Sequence, residues 1–361
     1  MSIYSITYHH VKNYGAVLQA FALNNYLRSI FPESYVVDYE TVEDRRCFTN
    51  LLSFHMHSWK NNVISVFNLF HYYRLKQANK KFIDFISENI QTTDLIESYE
   101  KLTELDNTNS LFIAGSDQIW NCSSGIKKHF FLEGICKAKK CAYAASMGID
   151  KIPDNYLDEA LNCLKTFSYI SVRENSTKEY FKNKLKIECE TVMDPVFLLS
   201  QTKWRSLEQQ VKVPKKYILV YSLSTRKDLN LLLKDLSKKT NFPILEVCVN
   251  GFSRVKNSKK LYDIGPKEFL YLIDNATYIV ASSFHAIAFS LIFKKDFYVY
   301  ANDTTGLRIH DLLNKYDMTN RIINYLDISN FEIYPVDYSK YELEILKEIN
   351  CSKQYINKCI S

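Results

Sequence analysis

Across Ile279 to Phe293 an apolar, β-branched run gives way to Ser282 and Ser283, and from Phe284 onward apolar residues recur as on a helix buried on nearly every face. A strand, a tight polar turn and a helix meet there. The chemistry open to such a junction is anion binding, because the first turn of a helix carries amides without partners and its dipole favours negative charge. Ser282 or Ser283 can cap the helix, free amides can hold a phosphate or carboxylate, and His285 stands beside whatever is held. An imidazole titrates near neutrality and so can donate or accept a proton in that position. The plainer reading, a capped helix with a hydrogen-bonded histidine, is slightly favoured by these residues alone.

Three more polar clusters follow apolar runs: Lys12-Asn13-Tyr14-Gly15, Gly115-Ser116-Asp117-Gln118 and Ser171-Val172-Arg173-Glu174. Each has a structural explanation. Asn13 and Gly15 suit a turn, Asp117 suits a helix cap, and Arg173 with Glu174 suits a surface pair. Their shared position just after strands is where ligands of open parallel sheets bind.

The elements that must carry these clusters alternate in type. Ser2 to Tyr8 reads as a strand, Ala16 to Ile30 as a helix ended by Pro32, and Tyr35 to Tyr39 as a second strand. This βαβ opening implies parallel strands. Its loop has one glycine and is no dinucleotide fingerprint. The rhythm resumes at Ser110 and runs to Asp194-Pro195, then begins again with a strand at Tyr217 to Tyr221. The expected fold class is α/β, with two Rossmann-like, doubly wound domains: an N-terminal domain over 1–200, a C-terminal domain over 201–340, and a terminal helix over 341–361 that packs back on the first. A helical insert over 41–105 interrupts the first domain. It interleaves Trp59, Phe67, Phe70, Tyr72, Tyr73 and Phe82 with Lys60, Arg74, Lys76, Lys80 and Lys81. The favoured reading is that it covers a sheet edge and shows its lysines to water; the alternative is peripheral contact with an anionic membrane through 58–82.

The chain has 361 residues, enough for two cores, and 47% of them are hydrophobic. Its formal charge of +6 is a mild excess, as compatible with anionic small molecules or lipid headgroups as with nucleic acid. Nine cysteines without a Cys-x-x-Cys pair argue against a disulfide framework and a cysteine zinc site. With no basic leader and no apolar stretch of membrane-spanning length, the expected location is the cytoplasm, with the inner membrane surface as an alternative.

In this order and at these intervals the clusters resemble the polysaccharide pyruvyl transferase family. The matching segments are Asn13-Tyr14-Gly15-Ala16-Val17-Leu18-Gln19-Ala20, Gly115-Ser116-Asp117-Gln118-Ile119-Trp120-Asn121, Tyr143-Ala144-Ala145-Ser146-Met147-Gly148, Ser171-Val172-Arg173-Glu174, Asp194-Pro195 and Ser282-Ser283-Phe284-His285. Ala286 departs from a pattern that usually has glycine. The resemblance implies a two-domain enzyme of glycosyltransferase B type that moves pyruvate from phosphoenolpyruvate onto two hydroxyls of an exopolysaccharide or its precursor, forming a cyclic ketal and releasing phosphate. It implies a glycan or lipid-linked sugar as acceptor and no cofactor beyond the donor substrate; no nucleic acid partner is expected, and the sequence singles out no metal ligands and does not disclose whether a metal assists. His285, Asp117 and Arg173 are the implied catalytic residues, with Asn13, Gly15, Ser116, Ser282, Ser283 and Arg308 around the substrates. His285 suits one of the acid and base roles, Arg173 an anion, Asp117 an acceptor hydroxyl and Asn13 the sugar; Arg308 is a second candidate for the anion. Two alternatives stand beside this: a transferase of the same fold using a nucleotide sugar, and a carbohydrate-binding relative without turnover.

Overall fold

The computed structural model describes residues 1–40, 59–223, 227–300, 306–323 and 332–361. Residues 41–58 of the aromatic insert, together with Asn302 and Asp303 ahead of Arg308, lie outside them. So does Cys47; the other eight cysteines are free thiols.

The βαβ opening consists of β1 (Ser2–Ile6), α1 (Tyr14–Ile30) and β2 (Ser34–Val36). The insert supplies α2 (Trp59–Phe70), α3 (Tyr72–Asn89) and α4 (Tyr99–Thr103). The chain continues through β3 (Ser110–Ala114), β4 (Lys139–Ala145), α5 (Asp154–Leu164), β5 (Tyr169–Val172), α6 (Asn175–Tyr180), β6 (Glu190–Thr191) and α7 (Gln201–Arg205). The second series is β7 (Ile218–Tyr221), α8 (Lys227–Thr240), β8 (Ile244–Val247), β9 (Lys259–Leu261), α9 (Pro266–Asn275), β10 (Tyr278–Ala281), α10 (Phe284–Ile292), β11 (Asp296–Val299) and α11 (Gly306–Lys315), and α12 (Glu342–Ile360) follows.

Two sheets result, ordered β2-β1-β3-β4-β5-β6 and β11-β10-β7-β8-β9. Every pair of neighbours is parallel. Strands such as β3, β7 and β8 are buried along their whole length, as sheets covered on both faces require.

Contacts from three directions hold the lobes together. Tyr14, at the start of α1, donates its hydroxyl to the carbonyl of Ile264 at 2.9 Å and stacks on Phe269 with centroids 4.2 Å apart. Helix α3 buries Leu75, Phe82, Phe85 and Ile86, packs against α1 and α9, and pairs Arg74 with Asp263 and Glu88 with Lys267 of the second series. The sheet edge at β2 is covered by the stretch after α3, through bridges of Val36 with Thr92 and Tyr39 with Ile96. Outward, the turn between α2 and α3 leaves Phe70 and Tyr73 exposed. Helix α12 returns to the first sheet, where Tyr355, Ile356 and Cys359 join Ile3, Leu27 and Ile113 in one apolar cluster. It also fixes the loop after β6, because the Ser352 hydroxyl accepts from the Met193 amide at 2.9 Å. Among the described residues no helix is long and apolar enough to cross a membrane.

Candidate functional site

The loop fixed by α12 carries Asp194 into the interior, where three groups from distant parts of the chain meet it. Arg173, leaving β5, donates from Nη1 to Asp194 Oδ2 at 2.7 Å. Ser116, after β3, donates to the same oxygen at 3.3 Å. From the second lobe, His285 brings Nε2 to 3.3 Å of it. The other carboxylate oxygen accepts from the Val196 amide at 3.1 Å, capping a short turn that begins at Pro195. Burial alone would raise the Asp194 pKa, but the charge and hydrogen bond of His285, then Arg173 and the Val196 amide, outweigh it and hold the carboxyl well below the usual carboxylate range.

The Arg173 guanidinium is committed on a second side. Its Nε donates to Glu174 Oε1 at 3.0 Å, and that oxygen also accepts from the Ser146 hydroxyl at 2.8 Å. The Phe284 ring lies beneath it, 4.2 Å from centroid to Cζ. Removal from solvent works against the charge of Arg173, and Glu174, Asp194 and Asp117 more than restore it, so its pKa is raised. The structure places Arg173 beneath the cleft: its side chain is 3% exposed and holds two carboxylates, while its Nη2 has no hydrogen-bond partner and it lines a narrow cavity together with Arg308. Ser116 lies in the same buried layer. It is fully buried, and its hydroxyl donates to the Ala144 carbonyl as well as to Asp194.

Above this buried layer a cleft of about 790 Å³ opens between the lobes. Asn13, Asp117 and Gln118 line it from one side, and Ser282, Ser283, His285 and Arg308 from the other. Asp117 leaves the strand with φ of 69°, a left-handed turn that aspartate tolerates better than most residues, and its Oδ1 accepts from the Gln118 amide at 2.9 Å. Asn13 caps α1 by accepting from the amides of Gly15 and Ala16 at 3.0 and 3.4 Å. Of the two serines proposed as caps, Ser283 holds the cap position of α10 without a side-chain bond, while Ser282 accepts from the Leu223 amide at 3.1 Å. The first-turn amides of α10 thus have no capping side chain from its cap residue.

Among the described residues, Arg308 is the arginine that lines the cleft. The Gln118 carboxamide, turned so that its oxygen meets the guanidinium, accepts from Nη2 at 2.7 Å. Burial, and then the like charge of Arg173, lower the Arg308 pKa against the pull of Asp117, Glu174 and Asp194. Its charge is undercompensated, the condition in which an arriving anion gains most. Lys127, which lines the cleft, is a further cation that spacing did not single out. Lys12 lies in a side cavity adjoining the cleft, where burial pushes its pKa down to about 8.

Gly15 belongs to the site by what it lacks. A β-carbon there would collide with Nδ1 and Cγ of His285, so the bare backbone of α1 is what lets the imidazole lie flat across the lobe boundary. Gly15→Ala should destabilise the protein by about 1–3 kcal/mol, the usual range for overpacking. That cost opposes the gain of up to about 1 kcal/mol that alanine brings to a helix. Denaturant melts with net stabilisation would show that the ring moves aside freely.

A family model described as polysaccharide pyruvyl transferase matches residues 13–304 of the chain. No curated protein matches. Among solved structures, Medicago truncatula UGT71G1 complexed with UDP-glucose is similar at 9% identity, with 100% of this chain and 98% of that one covered and a TM-score of 0.51. The UDP-GlcNAc 2-epimerase of Methanocaldococcus jannaschii is similar at 12% identity, covering 91% and 90%, with a TM-score of 0.49. The fold is the glycosyltransferase B-like pair of Rossmann-type domains.

Proposed function

The chain belongs to the polysaccharide pyruvyl transferase family, and from that premise we propose that it moves the pyruvyl group of phosphoenolpyruvate onto two hydroxyls of a polysaccharide or its precursor. It is a transferase, with a glycan as the plausible acceptor. In the proposed reaction one hydroxyl oxygen bonds to C2 of the enol while a proton adds to C3, turning the methylene into a methyl group. The second hydroxyl then displaces phosphate from C2, and its proton leaves with the phosphate.

The observation that carries this reading is the crossing of the cleft by His285, anchored on Asp194 and set beside Arg308 and the open first turn of α10. Phosphoenolpyruvate is a phosphate and a carboxylate on one small frame. Arg308 suits one of these anions and the first-turn amides the other. His285 carries the proton for C3, and Asp117 accepts the proton of the attacking hydroxyl. The carboxamide nitrogen of Asn13, whose oxygen is engaged in capping, is the group available to a sugar hydroxyl.

The test is direct: phosphate release from phosphoenolpyruvate that depends on added glycan, with the mass of a pyruvyl ketal on the sugar. Stabilisation by a nucleotide sugar but not by phosphoenolpyruvate would favour the nucleotide-sugar reading instead. Arg308→Ala should raise the KM for phosphoenolpyruvate by about 10- to 100-fold, as expected for a hydrogen bond to a charged group worth about 1.5–3 kcal/mol. An unchanged KM would remove Arg308 from the donor site.

A further inference from the structure

A second cluster stands beside the cleft at the carboxyl ends of β1 and β2. His9 and His10 follow β1, Asp38 follows β2, and the chain bends so that both neighbouring histidines face the same carboxylate. Their rings meet edge to face, 4.3 Å apart and 80° inclined. His10 Nε2 lies 2.9 Å and His9 Nε2 3.5 Å from Asp38 Oδ1. One ligand atom from each residue falls within 4.8 Å of the others.

His9 carries the argument. It is 2% exposed, and its Nδ1–H donates to the Thr7 carbonyl at 3.1 Å. That bond fixes the tautomer and turns the lone pair of Nε2 toward Asp38 Oδ1, so that Nε2 has no hydrogen-bond partner while the carboxylate oxygen has His10 Nε2 at 2.9 Å. Two acceptors facing each other in the interior repel, and an unsatisfied buried polar group costs about 1–3 kcal/mol. A cation between them reverses the sign. An imidazole oriented by a backbone carbonyl through its other nitrogen is also the usual outer support of a metal ligand. For a tetrahedral ion with bonds of about 2.0–2.1 Å, ligand atoms stand roughly 3.3 Å apart, close to both distances to Asp38.

We propose that His9, His10 and Asp38 bind a divalent transition-metal ion of the zinc type. Two imidazoles and one carboxylate suit zinc, cobalt or iron(II), and a three-residue set leaves a position for an oxygen ligand. His9 and His10 line a cavity of about 300 Å³ whose wall shares Tyr8, Val11 and Lys127 with the cleft, so that position is near any substrate bound there. Lys12 and Lys127 also line the cavity and oppose a cation, while Glu40, whose carboxylate is 3.8 Å from His10 Nδ1, adds to the charge of Asp38 in favour of one.

The test uses the full, untagged chain, stripped with chelator and titrated with Co²⁺ under reducing conditions. One ion per chain is expected, with visible ligand-field bands, competition by Zn²⁺ and a raised melting temperature. His9→Gln and Asp38→Asn should each weaken uptake by about 100-fold or more while circular dichroism is retained, a loss at least as large as that for removing an outer support. Uptake that is absent, unchanged in both variants, or marked by intense thiolate charge-transfer bands from the cysteines would overturn the assignment.

Discussion

Replacing Arg173 with methionine is expected to lower the unfolding free energy by about 3–5 kcal/mol, the cost of removing one partner from a buried ion pair. The side chain occupies the gap between Asp194 and Glu174, both nearly inaccessible, and methionine would fill it with no charge. Asp194 would keep the Val196 amide, Ser116 and His285, yet lose its shortest contact. The pH dependence follows from the depressed Asp194 pKa in the wild type. A carboxylate with a lowered folded pKa contributes stability that is present above the unfolded value, about 4, and lost as pH falls through the folded one. In the variant the carboxyl loses the Arg173 charge, one of the causes that hold its pKa down, so that pKa should rise and the deficit should be widest near pH 8 and narrow as pH falls toward 5. Urea melts at the two pH values measure this. A variant with wild-type melts and a raised KM for the donor would instead return Arg173 to direct contact with substrate.

Why the sequence pointed at the right neighbourhood but assigned these residues unevenly can be argued from Arg173 and Ser116. Both follow an apolar strand, and the carboxyl edge of a parallel sheet is where polar residues collect. What spacing cannot tell is whether such a side chain rises into the cleft, as Asp117 does, or turns back beneath it, because one backbone rotation separates the two. Asp194 was legible as the end of a strand and as part of the family resemblance, and not as a residue of the site. Its importance comes from partners on β5 and α10, and no local pattern announces a contact that closes after folding. Strand β9 escaped for a different reason: Lys259-Lys260-Leu261 is a short edge strand with one buried residue, too little for any periodicity. The strands buried on both faces and the long helices were legible because burial imposes their pattern directly. Gly15 was legible as a motif residue, whereas the imidazole that forbids a side chain there lies in the other lobe.

His285→Gln should separate chemistry from stability. Glutamine retains a donor that can reach Asp194, whose contacts with Arg173 and the Val196 amide also persist, so the melting midpoint should shift little. It cannot carry a proton between solvent and the enol carbon, and the contribution of a positioned acid or base is about 10²- to 10⁴-fold. The expected result is a fall of that size in kcat, with the KM for phosphoenolpyruvate within a few-fold of wild type because Arg308 and the α10 amides are untouched. A glutamine variant that turns over at the wild-type rate would mean that the ring serves only to lock the lobes together through Gly15 and Asp194, and the acid would then have to be sought among the cations lining the cleft, with Lys127 first.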